Sequence, residues 1–411
     1  MTETRPLCVM ETPYSTVAPC YIQFCLEVSD PSKVEVLCNR ILAVAVAFHI
    51  QTDLDTKIIH LNHQKNEIYK IPEEISNMED AIHWAMENAC PNGSDRLATL
   101  SSSSKYIVYN VNHAFSDGGQ MIRIVNAIQQ EPFVAPEIHL PISILDPKRF
   151  KKQVEEAEPL FIDTRHISMT HFRPIENSKE DSHNFARLEI PVSSLPGYEN
   201  GHLHRLTSSL LAAFLLATKA YSGYDNDGFG IRAAIDCRRY LDKENCDAWE
   251  NGFHSGNIVI DCQSNPKTVG DLIEGLEKKL RDEINSEAWL GHTNYLLLPF
   301  LHPGDERYQN LPSIGLNLYL TQIGRYRISE PISDVMMNVQ QMIPPETITL
   351  MSYSVDSGKS NVLHNHLIYG LTNNKHEDMM KYLELTHFAM LNQRYEMEID
   401  AFIEQLKQHI K

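Results

Sequence analysis

The chain has 411 residues, 42% of them hydrophobic, and a formal charge of −18 from 36 basic and 54 acidic side chains. That length and apolar content supply material for two cores, and the charge argues against broad binding to nucleic acid or to an anionic membrane surface. The longest apolar runs, 41–50 and 206–217, are too short to span a bilayer. Eight cysteines are scattered without C-x-x-C spacing, and the first residues contain no secretory apolar core, so reduced thiols and a cytoplasmic location are expected.

In chain order, 21–28 alternates like a strand. Asp30-Pro31-Ser32 then caps a helix expected to run to about Phe48. Segments 57–61 and 67–71 suggest a hairpin, 78–89 a helix and 96–101 a short strand. The stretch 105–128 begins as a strand apolar on both faces, breaks at Ser116-Asp117-Gly118-Gly119, and resumes with apolar residues at a near-helical period. Prolines at 132, 136, 141 and 147 and a charged run mark 131–183 as a crossover between a first domain, 1–130, and a second, 184–411. The second opens with a strand at 185–191 and a strongly apolar helix at 206–221. Three strands follow: one ending at Asp236-Cys237-Arg238, one entered through Gly256-Asn257, and one ending at Thr321-Gln322-Ile323-Gly324. A helix at 268–284 lies between the last two. Strands near 335–342, 347–355 and 362–369 and an interrupted helix at 377–409 complete the chain.

His113 closes the buried strand, with Asp117 four residues on and Gly118 behind it. A histidine held by a rigid strand beside a carboxylate and a glycine turn is a candidate positioned base. Nineteen histidines make a chance H-x-x-x-D-G match an event of about one chain in twenty at ordinary Asp and Gly frequencies. The competing reading is a core histidine satisfied by a backbone carbonyl, with Asp117 as a turn residue. His49 and Asp53 share the H-x-x-x-D spacing, but Leu54 follows, and the pair reads as a helix end and loop.

H-x-x-x-D-G at a strand–helix seam, Asp-x-Arg after a strand, a Gly-Asn strand and a Thr-Gln-Ile-Gly turn occur here in that order. This set resembles the chloramphenicol-acetyltransferase-like superfamily of CoA-dependent acyltransferases, in particular alcohol acetyltransferases, BAHD acyltransferases and condensation domains. The resemblance implies an α/β fold of two similar domains, each a mixed β-sheet flanked by helices, with a tunnel at their interface. It implies an acyltransferase moving an acyl group from coenzyme A to a hydroxyl or amine of a small-molecule acceptor, without a covalent acyl-enzyme. His113 would be the general base. Asp117 would pair with an arginine, Arg238 first and Arg239 second, and Gly118 would support the turn. Thr321 would donate to the oxyanion and Asn257 would orient substrate. Acyl-CoA enters as co-substrate, no metal and no bound cofactor are called for, and a monomer is expected. An acyl carrier protein as donor and an idle ligand-binding role are the alternatives.

Two departures shape the expectation. Asn112 precedes His113, so the double histidine of condensation domains is missing, and no Asp-Phe-Gly-Trp-Gly stands near the C-terminus. An alcohol-acetyltransferase-like or more divergent member fits better than a typical BAHD enzyme. Gly358-Lys359-Ser360 matches only the end of a phosphate loop. The pairs His202/His204 and His364/His366 lack further ligands at metal-binding spacing.

Overall fold

Every residue of the strand Tyr106–Asn112 is buried, on both faces, as its two-sided apolar pattern requires. In a computed structural model, which describes residues 3–8, 11–16, 20–62, 66–91, 96–141, 156, 185–222, 229–240, 255–262, 266–287, 289–291, 298, 304–309, 318–340, 348–369 and 375–410, this strand is the middle of a five-stranded sheet. Its order is 332–340, 21–28, 106–112, 98–102, 68–70. The helices Val34–Val44, Met78–Asn88 and Gly118–Ile128 turn their apolar faces to it.

A second sheet has six strands in the order 255–262, 229–236, 318–327, 348–356, 361–369, 185–191. The pairings of 229–236 with 318–327 and of 318–327 with 348–356 are parallel, and the other three are antiparallel. Leu206–Ser222 carries an unbroken buried run from Leu210 to Ala217 and forms the spine of a second core. Val269–Asn285, His376–Asn392 and Ile399–Ile410 join that core. The architecture is thus α/β with mixed, open sheets.

One strand of the later stretch, Ile332–Gln340, does not belong to the second sheet. It pairs antiparallel with Tyr21–Val28 along its length and completes the first, so the sheets do not divide where 131–183 divides the sequence. A buried polar row fixes its register. Asn338, Gln23 and Asn110 stand opposite one another; Asn338 donates to Gln23 at 2.9 Å, and Gln23 donates to Asn110 at 3.4 Å and to the Ile82 carbonyl at 3.1 Å. A slip of one residue would turn Asn338 to the opposite face and break this row. Most of 131–183 lies outside the described residues.

Three local expectations are corrected. The first long helix stops at Val44, where Ala45 turns extended, and His49 leads into the strand Ile50–Asp53 instead of a loop. Segments 57–61 and 67–71 do not form a hairpin. Ile58–Leu61 pairs with Ile50–Asp53, while Ile68–Lys70 pairs parallel with Ala98–Ser102. The Asp53 carboxylate accepts from the backbone N–H of Asp55 and Thr56, and Lys57 adopts φ 55°, so the tight turn lies before Ile58. Third, the strand through Thr321 does not end at Gly324 but runs from Leu318 to Arg327. Its register shifts between Gln322 and Gly324, a β-bulge made possible by Gly324 at φ +120°.

Candidate active site

The site starts at the end of Tyr106–Asn112. The Asn112 side chain accepts the Ala114 N–H at 2.9 Å and caps a single 3-10 turn, His113–Phe115. The residue that replaces the first histidine of the double-histidine pattern therefore shapes the turn. The His113 backbone N–H is tied to the Cys20 carbonyl at 2.8 Å, which anchors the turn to the neighbouring strand.

The His113 ring is partly buried, and its Nδ1 lies 2.9 Å from the Ser116 carbonyl. A carbonyl only accepts, so Nδ1 carries the proton and Nε2 is the basic nitrogen of the neutral ring. Burial pushes the His113 pKa below its ordinary value of 6.5, against the opposing pull of its backbone hydrogen bonds and the Asp117 charge. The ring is thereby kept neutral and basic at Nε2 near neutral pH. The competing reading of a histidine satisfied by a carbonyl is met at Nδ1, and the same contact prepares the other nitrogen as a base.

Asp117 is held by a backbone N–H and by an arginine. It is the N-cap of Gly118–Ile128, accepting the Gln120 N–H at 2.9 Å. It also receives a two-pronged bond from Arg238, at 2.8 Å to Oδ1 and 3.0 Å to Oδ2. Both partners are almost wholly buried, at 4% and 3% exposure. Burial alone would lower the Arg238 pKa, but Asp117 and then Asp236, at 3.0 Å, outweigh it and hold the guanidinium charged. The Arg239 side chain lies outside the described residues.

Gly118 faces Ile323 of the bulge so closely that an added Cβ would sit 2.7 Å from Ile323 Cγ2. The bulge of the second sheet thus seats on the first turn of the helix that follows His113. Thr321, two residues before Ile323, is partly exposed, and its neighbours Leu318 and Leu320 point into the second core. Alternation therefore puts Thr321 on the face toward the first sheet. Gln322 points the other way, to the hydroxyl of Thr207 at the start of Leu206–Ser222. Asn257 stands opposite Ala234 in the strand Ser255–Cys262, and its side chain lies outside the described residues. The structure thus joins His113, Asp117, Gly118 and Arg238 in one contiguous group. The Ser116 carbonyl and Ile323 complete it, and neither has a sequence signature, because backbone acceptors and contacts across 200 residues follow no local pattern.

The other candidates separate from this group. Gly358-Lys359-Ser360 lies in the tight turn between Ile348–Asp356 and Asn361–Tyr369, with no helix after it. His364 and His366 are buried, His364 stacked on Tyr353 and His366 on Phe185. Among the described residues no group of three or more His, Cys, Asp or Glu side chains gathers to hold a metal, and no helix is long and apolar enough to cross a membrane.

Neither a family model nor a curated protein matches the sequence. Solved structures match nearly the whole chain. The starter condensation domain of rhizomide synthetase superposes with a TM-score of 0.59 at 12% identity, covering 97% of this chain and 98% of the domain. The chain has the condensation-domain fold. Trichothecene 15-O-acetyltransferase from Fusarium sporotrichioides shares that fold at a TM-score of 0.61, 14% identity and 95% coverage of each chain. Polyketide synthase associated protein 5 from Mycobacterium tuberculosis does so at 0.60 and 14%, covering 93% and 98%. A further structure of the rhizomide domain holds C8-CoA and Leu-SNAC. Within the condensation-domain fold, His113 closes a central strand of the first sheet, and Arg238 reaches Asp117, four residues on, from the second.

Proposed function

We infer that the protein is an acyltransferase that moves an acyl group from a coenzyme A thioester to a hydroxyl or amine of a small molecule. The observation that carries this reading is the Nδ1 contact of His113 with the Ser116 carbonyl, which leaves Nε2 as a base on a ring that burial keeps neutral. Nε2 takes the acceptor's proton as the acceptor oxygen or nitrogen attacks the thioester carbon. The tetrahedral intermediate then collapses, the C–S bond breaks, and the proton passes to the departing thiolate. The Thr321 hydroxyl donates to the oxyanion, and Asn257 orients substrate. Asp117, Gly118 and Arg238 are positioning residues: they fix the turn on which the histidine stands. The likeness to an acetyltransferase and to a domain crystallised with C8-CoA supports a coenzyme A donor. Substrates meet in a tunnel between the two sheets.

The test is thiol release from acetyl-CoA and octanoyl-CoA with a panel of alcohols and amines, comparing wild type with His113→Ala. Acceptor-dependent release that falls about 10²- to 10⁴-fold in the folded variant is expected. Release that survives in His113→Ala removes the base. No release from either thioester shifts the donor to a carrier protein.

A further inference from the structure

Arg232 lies in the strand Phe229–Asp236, whose flanking residues Ile231 and Ala233 are buried in the second core. Alternation turns Arg232 to the opposite face, the one from which Met351 and Tyr353 enter the first core. It is partly exposed there, and its Nε is enclosed without a hydrogen-bond partner. Among the described residues it makes no ion pair and no hydrogen bond, and its guanidinium lies over the Tyr319 ring, 4.9 Å from guanidinium carbon to centroid. Register places the two side by side, since Arg232 pairs with Tyr319 in the parallel ladder.

This position adjoins the candidate active site. Tyr319 is two residues before Thr321 on the same face of its strand. Burial pushes its hydroxyl above the ordinary pKa, the Arg232 charge pulls the other way, and the Cys20 thiol lies close by. Cys20 is the residue whose carbonyl anchors the His113 backbone. The chain from histidine to cation is short: His113, Cys20, Tyr319, Arg232.

A guanidinium drawn partly out of water is ordinarily matched by a carboxylate, and this chain has 54 acidic side chains from which to supply one. None of those described approaches Arg232. The geometry points to Arg232 and Tyr319 as the subsite for a carboxylate carried by the acceptor substrate. The planar fork of an arginine matches a carboxylate bidentately, and the adjoining ring covers the apolar body to which it is attached. A single fork suits one carboxylate better than the phosphates of coenzyme A, which call for several cations. The assignment to the acceptor rests on the acyl-transfer reading; the anion site itself does not.

The experiment measures binding by calorimetry and transfer by thiol release, on wild type and Arg232→Gln. Two matched pairs serve as probes: 4-hydroxyphenylacetate against 4-hydroxyphenylacetamide as acceptors, and succinyl-CoA against butyryl-CoA as donors. Wild type is expected to bind the acetate about 10- to 100-fold more tightly than the amide, and Arg232→Gln to erase that preference while leaving amide and coenzyme A affinities unchanged. Equal affinity for acetate and amide in wild type, or a preference that survives the substitution, overturns the site. A preference confined to succinyl-CoA, or weakened coenzyme A binding in the variant, overturns the assignment to the acceptor. Preference without transfer removes the coenzyme A donor and keeps the anion site; transfer without preference does the reverse. Should Arg232→Gln fail to fold, Arg232→Lys keeps the charge without the fork, and a reduced preference is then the expected result.

Discussion

At the scale of the residue, the proposed base His113 is expected to set how activity responds to acid. The base works only when neutral, and burial lowers its pKa, so protonation competes less well than on an exposed histidine. The acid limb of kcat/KM is therefore expected to have its midpoint below 6.5, with the rate constant across the neutral range. A midpoint at or above 6.5 would assign the limb to another group. The motif itself was legible because its parts are local: four residues separate base and carboxylate, and the glycines follow at once. Arg238 lies 121 residues from Asp117, and only a family likeness linked them in advance. Arg232 carried no signal at all, because a lone arginine in an apolar strand looks the same whether or not a side chain answers it.

At the scale of the element, the helix that starts at Gly118 and the bulge at Ile323 are built to touch. Alanine in place of glycine normally favours a helix by about 1 kcal/mol. At Gly118 the new methyl would meet Ile323 at 2.7 Å, and overpacking of this kind costs about 1–3 kcal/mol. Gly118→Ala is expected to lower the urea midpoint in wild type and to leave it unchanged or raised in an Ile323→Ala background. An equal loss in both backgrounds would place the strain elsewhere. The bulge escaped the sequence because Thr-Gln-Ile-Gly reads equally well as a strand end, and a positive φ at glycine is what distinguishes continuation from turn. The misplaced hairpin has a similar cause: Asp53, Asp55 and Lys57 hold the tighter turn, yet the polar run after Leu61 looked like the stronger break.

At the scale of the whole molecule, Asp117 and Arg238 join the helix after the first sheet's central strand to the end of a strand in the second. Removing one partner leaves the other charge buried alone, at a cost of about 3–5 kcal/mol. Arg238→Met is therefore expected to lose that much stability in urea unfolding, and the double substitution Asp117→Asn, Arg238→Met to lose less than the two singles together. Strict additivity would mean that the ion pair contributes nothing to the join. The general α/β plan could be read from alternating strands and helices, because each pattern is local. The membership of Ile332–Gln340 could not, since an apolar strand fits either sheet by periodicity and its partner lies some 300 residues earlier.

That crossing strand also sets an order of assembly. A ribosome makes Tyr21–Val28 long before Ile332–Gln340, and until the later strand emerges the earlier one has an open side on which its backbone N–H and C=O groups are unpaired. The first sheet, with the histidine at its centre, cannot reach its finished state as an independent unit during synthesis. It must wait, edge uncovered, for most of the second half, so the site and the completed chain mature together.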